Sequence, residues 1–376
     1  MNWADPLTEN YLSQQLITYI GNKRTLLGFV KEGLQIVQGK LGRSQLSILD
    51  AFTGSGVVAR FFKAFSSKLV VNDLELYSRV ISQCYLANLP EVPLDRLKEE
   101  HRWLVNTLES KPLIEGWLSK HYAPQIDHEI APGERVFYSS RNARYLDTAR
   151  QLIGELPPED QCFFLGPLLS EASIHANTGG VFKGFYKNHS GVGAFGGQSR
   201  EALNRILGPI SLPFPLFSPH SCPVEVHQRD IVDLAKELEP LDLAYLDPPY
   251  NQHPYGSNYF MLNLLAHYKE PQAVSQVSGI PQDWNRSVFN KKAQAAPTLE
   301  HLVQSIPARF LLISFNSEGF ISRAEMEEIL NRHGQLETLE ITYNTFRASR
   351  NLKDRNLHVK EFLYLLDKRS VVEGGS

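Results

Sequence analysis

Short apolar runs that end on a polar residue, separated from one another by helical stretches, restrict this chain more than any other feature. Leu46-Ser47-Ile48-Leu49-Asp50 and Lys68-Leu69-Val70-Val71-Asn72-Asp73 begin the rhythm. Val224-Glu225-Val226-His227-Gln228, Asp242-Leu243-Ala244-Tyr245-Leu246-Asp247 and Arg309-Phe310-Leu311-Leu312-Ile313-Ser314-Phe315 resume it. Runs without polar alternation suit strands buried on both faces, which a parallel sheet covered by helices provides. The intervening helices are visible too: Leu26, Leu27, Val30, Leu34 and Val37 share one helical face, and Val57 to Phe65 is a mainly apolar helix. Segments 337–345 and 357–366 alternate strongly and predict an antiparallel pair closing the sheet.

The rhythm breaks near Leu89. Helical stretches over 94–110 and 144–176 are interrupted by Pro112, Pro124, Pro132, Pro157 and Pro158, and a glycine-rich loop runs from Thr178 to Gln198. The proline-rich segment Gly208 to Pro223 reads as a connector. The predicted layout is an α/β domain in two parts, 1–90 and 223–370, split by a mainly helical insertion, 91–222, with a flexible tail over 371–376. The 38 Lys and Arg against 41 Asp and Glu exclude a uniformly basic nucleic-acid coat but not local basic patches. No apolar run reaches the roughly 20 residues of a membrane span, and the N-terminus lacks a signal-peptide pattern. Cys84, Cys162 and Cys222 are scattered, and no His/Cys cluster has metal-ligand spacing. The expectation is a soluble, reduced, cytoplasmic protein without a metal.

Two motifs carry chemistry. In Asp50-Ala51-Phe52-Thr53-Gly54-Ser55-Gly56-Val57-Val58-Ala59, glycines at a strand's C-terminal end allow close backbone approach by a ligand. Asp73, ending the next strand, is placed to bond ribose hydroxyls. Alone, this pattern suits a nicotinamide cofactor, an adenosyl cofactor or a plain strand–turn–helix. The second motif, Asp247-Pro248-Pro249-Tyr250, ends an apolar strand in a carboxylate, stiffens the chain with two prolines and follows with an aromatic ring. An acceptor pair, the Asp247 carboxylate and the Pro248 carbonyl, beside a stacking ring suits the exocyclic amino group of a flat base. The bland alternative is a proline turn with a surface tyrosine.

Together these motifs resemble the Dam-like adenine-N6 DNA methyltransferases, which use S-adenosylmethionine. Tyr19-Ile20-Gly21-Asn22-Lys23 is similar to that family's N-terminal cofactor segment, and the order of the motifs around a long insertion matches its α-group. The resemblance implies a Rossmann-like methyltransferase sheet and an inserted target-recognition domain. It also implies that Tyr19, Lys23, Asp50, Phe52, Gly54, Gly56, Asp73, Asp230 and Asp247 bind the cofactor. Asp230 is equally readable as the cap of a helix over Ile231 to Leu238. Asp247, Pro248 and Tyr250 would be catalytic, with Tyr250, Tyr259 or Phe260 stacking on a base flipped out of double-stranded DNA. Tyr259 and Phe260 could instead be buried at a helix start.

For DNA itself, the loop after the last inserted helix mixes glycine, aromatics and lysine. Lys183, Lys187 and Arg200 are expected to pair phosphates, and Asn177 to read base edges. A second basic stretch, 343–360, holds five Lys and Arg against one Asp and offers Arg347, Arg350, Lys353 and Arg355. The implied activity is site-specific adenine methylation within a restriction-modification system, alongside a restriction endonuclease. An RNA base methyltransferase and a catalytically silent DNA-binding module are the rival readings.

Overall fold

A computed structural model describes residues 6–200, 202–249, 252, 254–317, 319–344 and 358–368. Seven strands form one sheet: β1 (Leu46–Asp50), β2 (Ser66–Asp73), β3 (Val224–Gln228), β4 (Leu241–Leu246), β5 (Ala308–Asn316), β6 (Gln335–Asn344) and β7 (His358–Asp367). Their spatial order is β3-β2-β1-β4-β5-β7-β6. β1 to β5 pair in parallel, whereas β7 runs antiparallel to both β5 and β6. The expected α/β class and the closing antiparallel pair are both present, and the pair adds the later strand, β7, next to β5.

Both faces of the central strands are covered, as their apolar runs require, while the edge strands β3 and β6 alternate and stay partly exposed. Ile48, Val71, Tyr245, Leu312 and Leu363 pack on one side with helices Leu27–Leu41 and Val57–Phe62. Their strand neighbours Leu49, Val70, Ala244, Ile313 and Tyr364 face the other way, toward helices Lys292–Ser305 and Arg323–Asn331. Helix Leu27–Leu41 approaches closely because Gly33 has no side chain. A Cβ there would lie 2.7 Å from a Leu312 methyl.

Between β2 and β3 the chain forms helices Leu94–Ser110, Trp117–Tyr122, Ser140–Gly154, Pro158–Ile174 and Leu203–Leu207. The helical stretch over 144–176 is two helices, divided at the expected interruption, where Pro157 and Pro158 remove successive backbone donors. The helix expected over 231–238 stops at Leu234. Leu104, Leu146, Phe164 and Leu168 of the inserted helices share one core with Tyr77 and Ile81 of helix Leu76–Tyr85 and with Met261 and Leu265 of helix Phe260–His267. The insertion is thus packed against the sheet's own helices. No helix among the described residues is long and apolar enough to cross a membrane.

Candidate active site

β1 and β4 are neighbours, and the chain winds outward from them in both directions: β1 to β2 and β3 one way, β4 to β5 the other. Ligands of open α/β sheets bind at this reversal, outside the strands' C-terminal ends. Asp50 is the last residue of β1 and pairs in register with Tyr245 of β4. Asp247 therefore emerges at the same rim, two residues on.

The turn after β1 is shaped by two left-handed glycines, Gly54 (φ 53°) and Gly56 (φ 78°). Left-handed backbone strains any residue with a Cβ. At Gly54 a Cβ would also stand 2.9 Å from the Tyr19 ring, so the ring and the turn fit only through glycine. The turn is tied to β2: Thr53 N–H donates to the Asn72 carbonyl at 2.9 Å, and Gly54 N–H donates to Asp73 Oδ2 at 2.7 Å. Asp73 Oδ1 accepts the Glu75 N–H at 2.9 Å. Burial raises the Asp73 carboxyl above its ordinary value, and the Glu75 and Gly54 amides oppose that rise.

Two abutting hollows share Tyr19, Gly21, Phe52 and Asp247. The larger encloses about 740 Å³, with Phe52, Ile231, Val288 and Phe289 as apolar walls and Asp73, Glu75 and Asp230 as acceptors. Phe52 and Phe289 meet edge to face, with ring centroids 5.6 Å apart. The smaller, of about 300 Å³, lies against Lys23, Asp50, Gly54 and Tyr245. Asp230 caps the next helix, accepting the Val232 N–H at 2.9 Å, and also lines the larger hollow.

Electrostatically this rim is short of positive charge. The buried Lys23 ammonium lies 2.5 Å from Glu361 Oε1 and 3.2 Å from Asp247 Oδ1, the latter an ion pair too poorly aligned for a hydrogen bond. Asp50 is buried, and neither of its carboxylate oxygens makes a hydrogen bond of ordinary geometry. Burial, and then the neighbouring Asp247, holds the Asp50 carboxyl well above the usual range. Asp247 is pushed up to about 6 by burial, with Lys23 pulling down and Glu361 pushing up. Glu75, buried beside Asp73, rises to about 7 even though Asn263 and Asn285 donate to it. One lysine among three carboxyl groups, two of them short of donors, is a cradle for a cation. The adjoining slot, with aromatic walls and carboxylate acceptors, suits a flat heterocycle bearing hydroxyl and amino groups. An adenosyl sulfonium fits both.

Several expected site residues stand elsewhere. Gly56 lines neither hollow; it caps helix Val57–Phe62, where a Cβ would meet Ile81 at 3.3 Å. Tyr259 and Phe260 are 0% and 1% exposed, which removes both as faces for an extruded base. The Tyr259 hydroxyl instead accepts the Ile20 N–H at 2.7 Å, and its ring stacks on Tyr19 with centroids 4.7 Å apart. Asn177 is likewise fully buried and cannot read a base edge: its amide donates to the Val136 and Ala194 carbonyls and accepts the Gly196 N–H. It fastens the glycine-rich loop to the insertion. Lys183 and Arg200 are exposed, while Lys187 is half-buried over the Phe185 ring. Pro248 is buried and Pro249 lines the larger hollow. Tyr250, Arg347, Arg350, Lys353 and Arg355 lie outside the described residues.

Sequence reasoning overlooks Tyr255, Glu75, Asn285 and Phe289, which line the larger hollow, and Glu361. Tyr255 stacks on Tyr19 at 5.0 Å with the rings 10° apart. Glu361 does carry a legible signal: an acid at the head of the otherwise apolar run Phe362 to Leu366. An acid entering a strand buried on both faces needs a partner.

Comparison with known proteins agrees with this geometry. The family model of the D12 class N6 adenine-specific DNA methyltransferases matches residues 19–121 and 213–329, the two blocks that carry the rim. The chain is 30% identical to the type II methyltransferase M.NlaIII of Neisseria lactamica, over 94% of this chain and 99% of that one. It is 26% identical to the type II methyltransferase M.CviAII of Paramecium bursaria Chlorella virus 1, over 93% and 98%. With the type II methyltransferase M.FokI of Planomicrobium okeanokoites it shares 24% identity over 93% of this chain but 52% of that one. By the family match over most of its length and by its likeness to M.NlaIII, the chain belongs to the D12 class N6 adenine-specific DNA methyltransferases.

Proposed function

We propose that this adenine-N6 DNA methyltransferase uses S-adenosylmethionine, acts on a base flipped out of double-stranded DNA, and modifies DNA in a restriction-modification system beside a cognate endonuclease. The last point rests on the type II relatives. The observation that carries the rest is the under-paired rim, where the buried Asp50 and the half-buried Asp247 keep oxygens without a hydrogen bond and Lys23 stands 3.2 Å from Asp247.

In this reading Phe52, Phe289, Asp73 and Asp230 hold the adenosine, while Asp50, Gly54, Tyr19 and Lys23 border the charged end. S-adenosylmethionine supplies, when bound, a methyl group already activated on a sulfonium. Adenine's N6 lone pair is delocalised into the ring, so the amine is a weak nucleophile. Asp247 and the Pro248 carbonyl accept its two N–H bonds, which favours the more tetrahedral nitrogen of the transition state. In-line placement supplies much of the remaining acceleration. Asp247 must be ionised to accept, and Lys23 favours that state. Tyr250 stacks on the extruded ring, whose removal from the duplex costs a few kcal/mol. The insertion recognises the target, with Lys183, Lys187 and Arg200 on phosphates.

Incubation with methyl-labelled cofactor and either duplex DNA or total RNA, followed by digestion to nucleosides, tests this reading. Label in N6-methyladenine from DNA is the expected result. Label confined to RNA, or to another base, would overturn it.

A further inference from the structure

The last strand contributes a buried carboxylate that the proposed chemistry does not use. Glu361, at 1% exposure, pairs in register with Asn316 of β5 and reaches under the rim. Its Oε1 accepts the Ser314 hydroxyl at 2.7 Å and stands 2.5 Å from the Lys23 ammonium. The same ammonium is farther from Asp247, at 3.2 Å and out of line, so Asp247 Oδ1 is buried without a hydrogen bond. A lone Lys–Asp pair in so dry a place would close into direct contact and spend that oxygen on the lysine. A three-membered arrangement is costly to bury and is weak evidence of a stabilising role.

We propose that Glu361 is a positioning residue for methyl transfer: it draws the Lys23 ammonium back from the buried Asp247 Oδ1, so that the carboxylate keeps its negative charge for Oδ2 to accept the substrate amine. Ser314 fixes the carboxylate that does the pulling. The inference rests on the reading of Asp247 as the acceptor of the adenine amine.

The groups facing Asp247 are Lys23 from the N-terminal segment, Glu361 from β7, Asp50 from β1 and Tyr245 from its own strand. Removing the Glu361 charge takes away a like charge and frees the lysine to close. Asp247 then holds its proton less tightly, and the acid limb of activity moves to lower pH. At neutral pH the rate falls, because a lysine closed onto Oδ1 neutralises the carboxylate and weakens Oδ2 as an acceptor. A purely structural role would not produce this opposed pair of effects.

The test is single-turnover methylation of duplex DNA at saturating cofactor from pH 5.5 to 8, with cofactor affinity measured in parallel. Glu361→Gln is expected to lose roughly tenfold in rate at pH 7.5 and to move the acid limb down by roughly one unit, with cofactor affinity within about twofold. Glu361→Asp, which withdraws the carboxylate by one methylene, is expected to shift rate and limb in the same directions but less. If Glu361→Gln fails to fold, Glu361→Asp decides the matter. An unchanged rate and limb in the folded variants overturns the inference, as does a rate loss with no movement of the limb. Asp247→Ala separates the two levels. If it retains turnover, the reading of Asp247 falls; if it is inactive while the Glu361 variants match the wild type, only the role of Glu361 falls.

Discussion

Asp147, Asn142 and Asn177 of the insertion and Asp50 and Asp247 of the sheet rim use their polar atoms in opposite ways. The first three are spent on the chain itself, although Asp160 Oδ2 and Trp117 Nε1 of the same insertion are buried without a hydrogen bond. Asp147 accepts the Gly116, Leu118 and Ser119 amides and the Tyr268 hydroxyl, Asn142 binds the Gly208 carbonyl and the Ile210 N–H, and Asn177 binds the Val136 carbonyl and two backbone groups of its loop. At the rim, Asp50 and Asp247 keep oxygens with no hydrogen bond, and their carboxyls rise as a result. Burying a polar group without a partner costs free energy, so such groups persist where a ligand completes them. Asp147, Asn142 and Asn177 build a scaffold, whereas Asp50 and Asp247 are left for a second molecule to complete.

This contrast can be broken at either end. The largest effect is expected for Asp247→Ala, which removes the proposed acceptor. Methyl transfer should fall by about 10²–10³ or more while cofactor affinity changes little, as read by single-turnover and binding assays. Asp50→Asn should weaken cofactor binding by about 10- to 100-fold, the worth of a charge-assisted contact, in a direct titration. Unchanged affinity would make Asp50 part of the scaffold after all.

Replacing Lys183 and Lys187 with alanine should flatten the salt dependence of DNA binding by about one logarithmic unit for each phosphate left unpaired. No change in slope would remove the glycine-rich loop from the DNA footprint. At Asn177 the expectation is reversed. Asn177→Ala should cost about 1–3 kcal/mol of stability by denaturant unfolding, with cofactor affinity intact. The smallest effect concerns pH. Burial raises Asp247 to about 6 and Glu75 to about 7, so the fold favours their protonated forms. Their contribution to the stability of the cofactor-free protein should therefore be full below about pH 4, decline as pH rises from there to about 7, and level off above. Glu75→Gln should flatten the decline, as followed by melting temperature.

The same contrast explains what is legible in the sequence. Rim residues come at fixed places in the strand–turn–helix rhythm, so Asp50, Gly54, Asp73 and Asp247 can be picked out from strand ends alone. Glu361 cannot be placed that way, because its position under Lys23 depends on β7 inserting between β5 and β6. Tyr255, Asn285 and Phe289 line the slot from the segment after the catalytic strand, where no periodicity marks them. Asn177 misleads for the opposite reason. A polar residue in a loop of glycine, lysine and aromatics has the composition of a DNA contact, and only packing reveals that its amide is consumed within the fold. Tyr259 and Phe260 show the same ambiguity, since an aromatic pair at a helix start suits a core as well as a base.

The central claim is that the rim's carboxyl groups await a cation, and calorimetric titration of S-adenosylmethionine at pH 6 tests it most directly. At that pH Asp247 is close to half protonated in the free protein. Repeating the titration in buffers of different ionisation enthalpy yields the protons exchanged on binding. A bound cation favours the ionised carboxylates, so the account predicts net proton release that shrinks in Asp247→Asn. Binding with no proton exchange, or with net uptake, would contradict it.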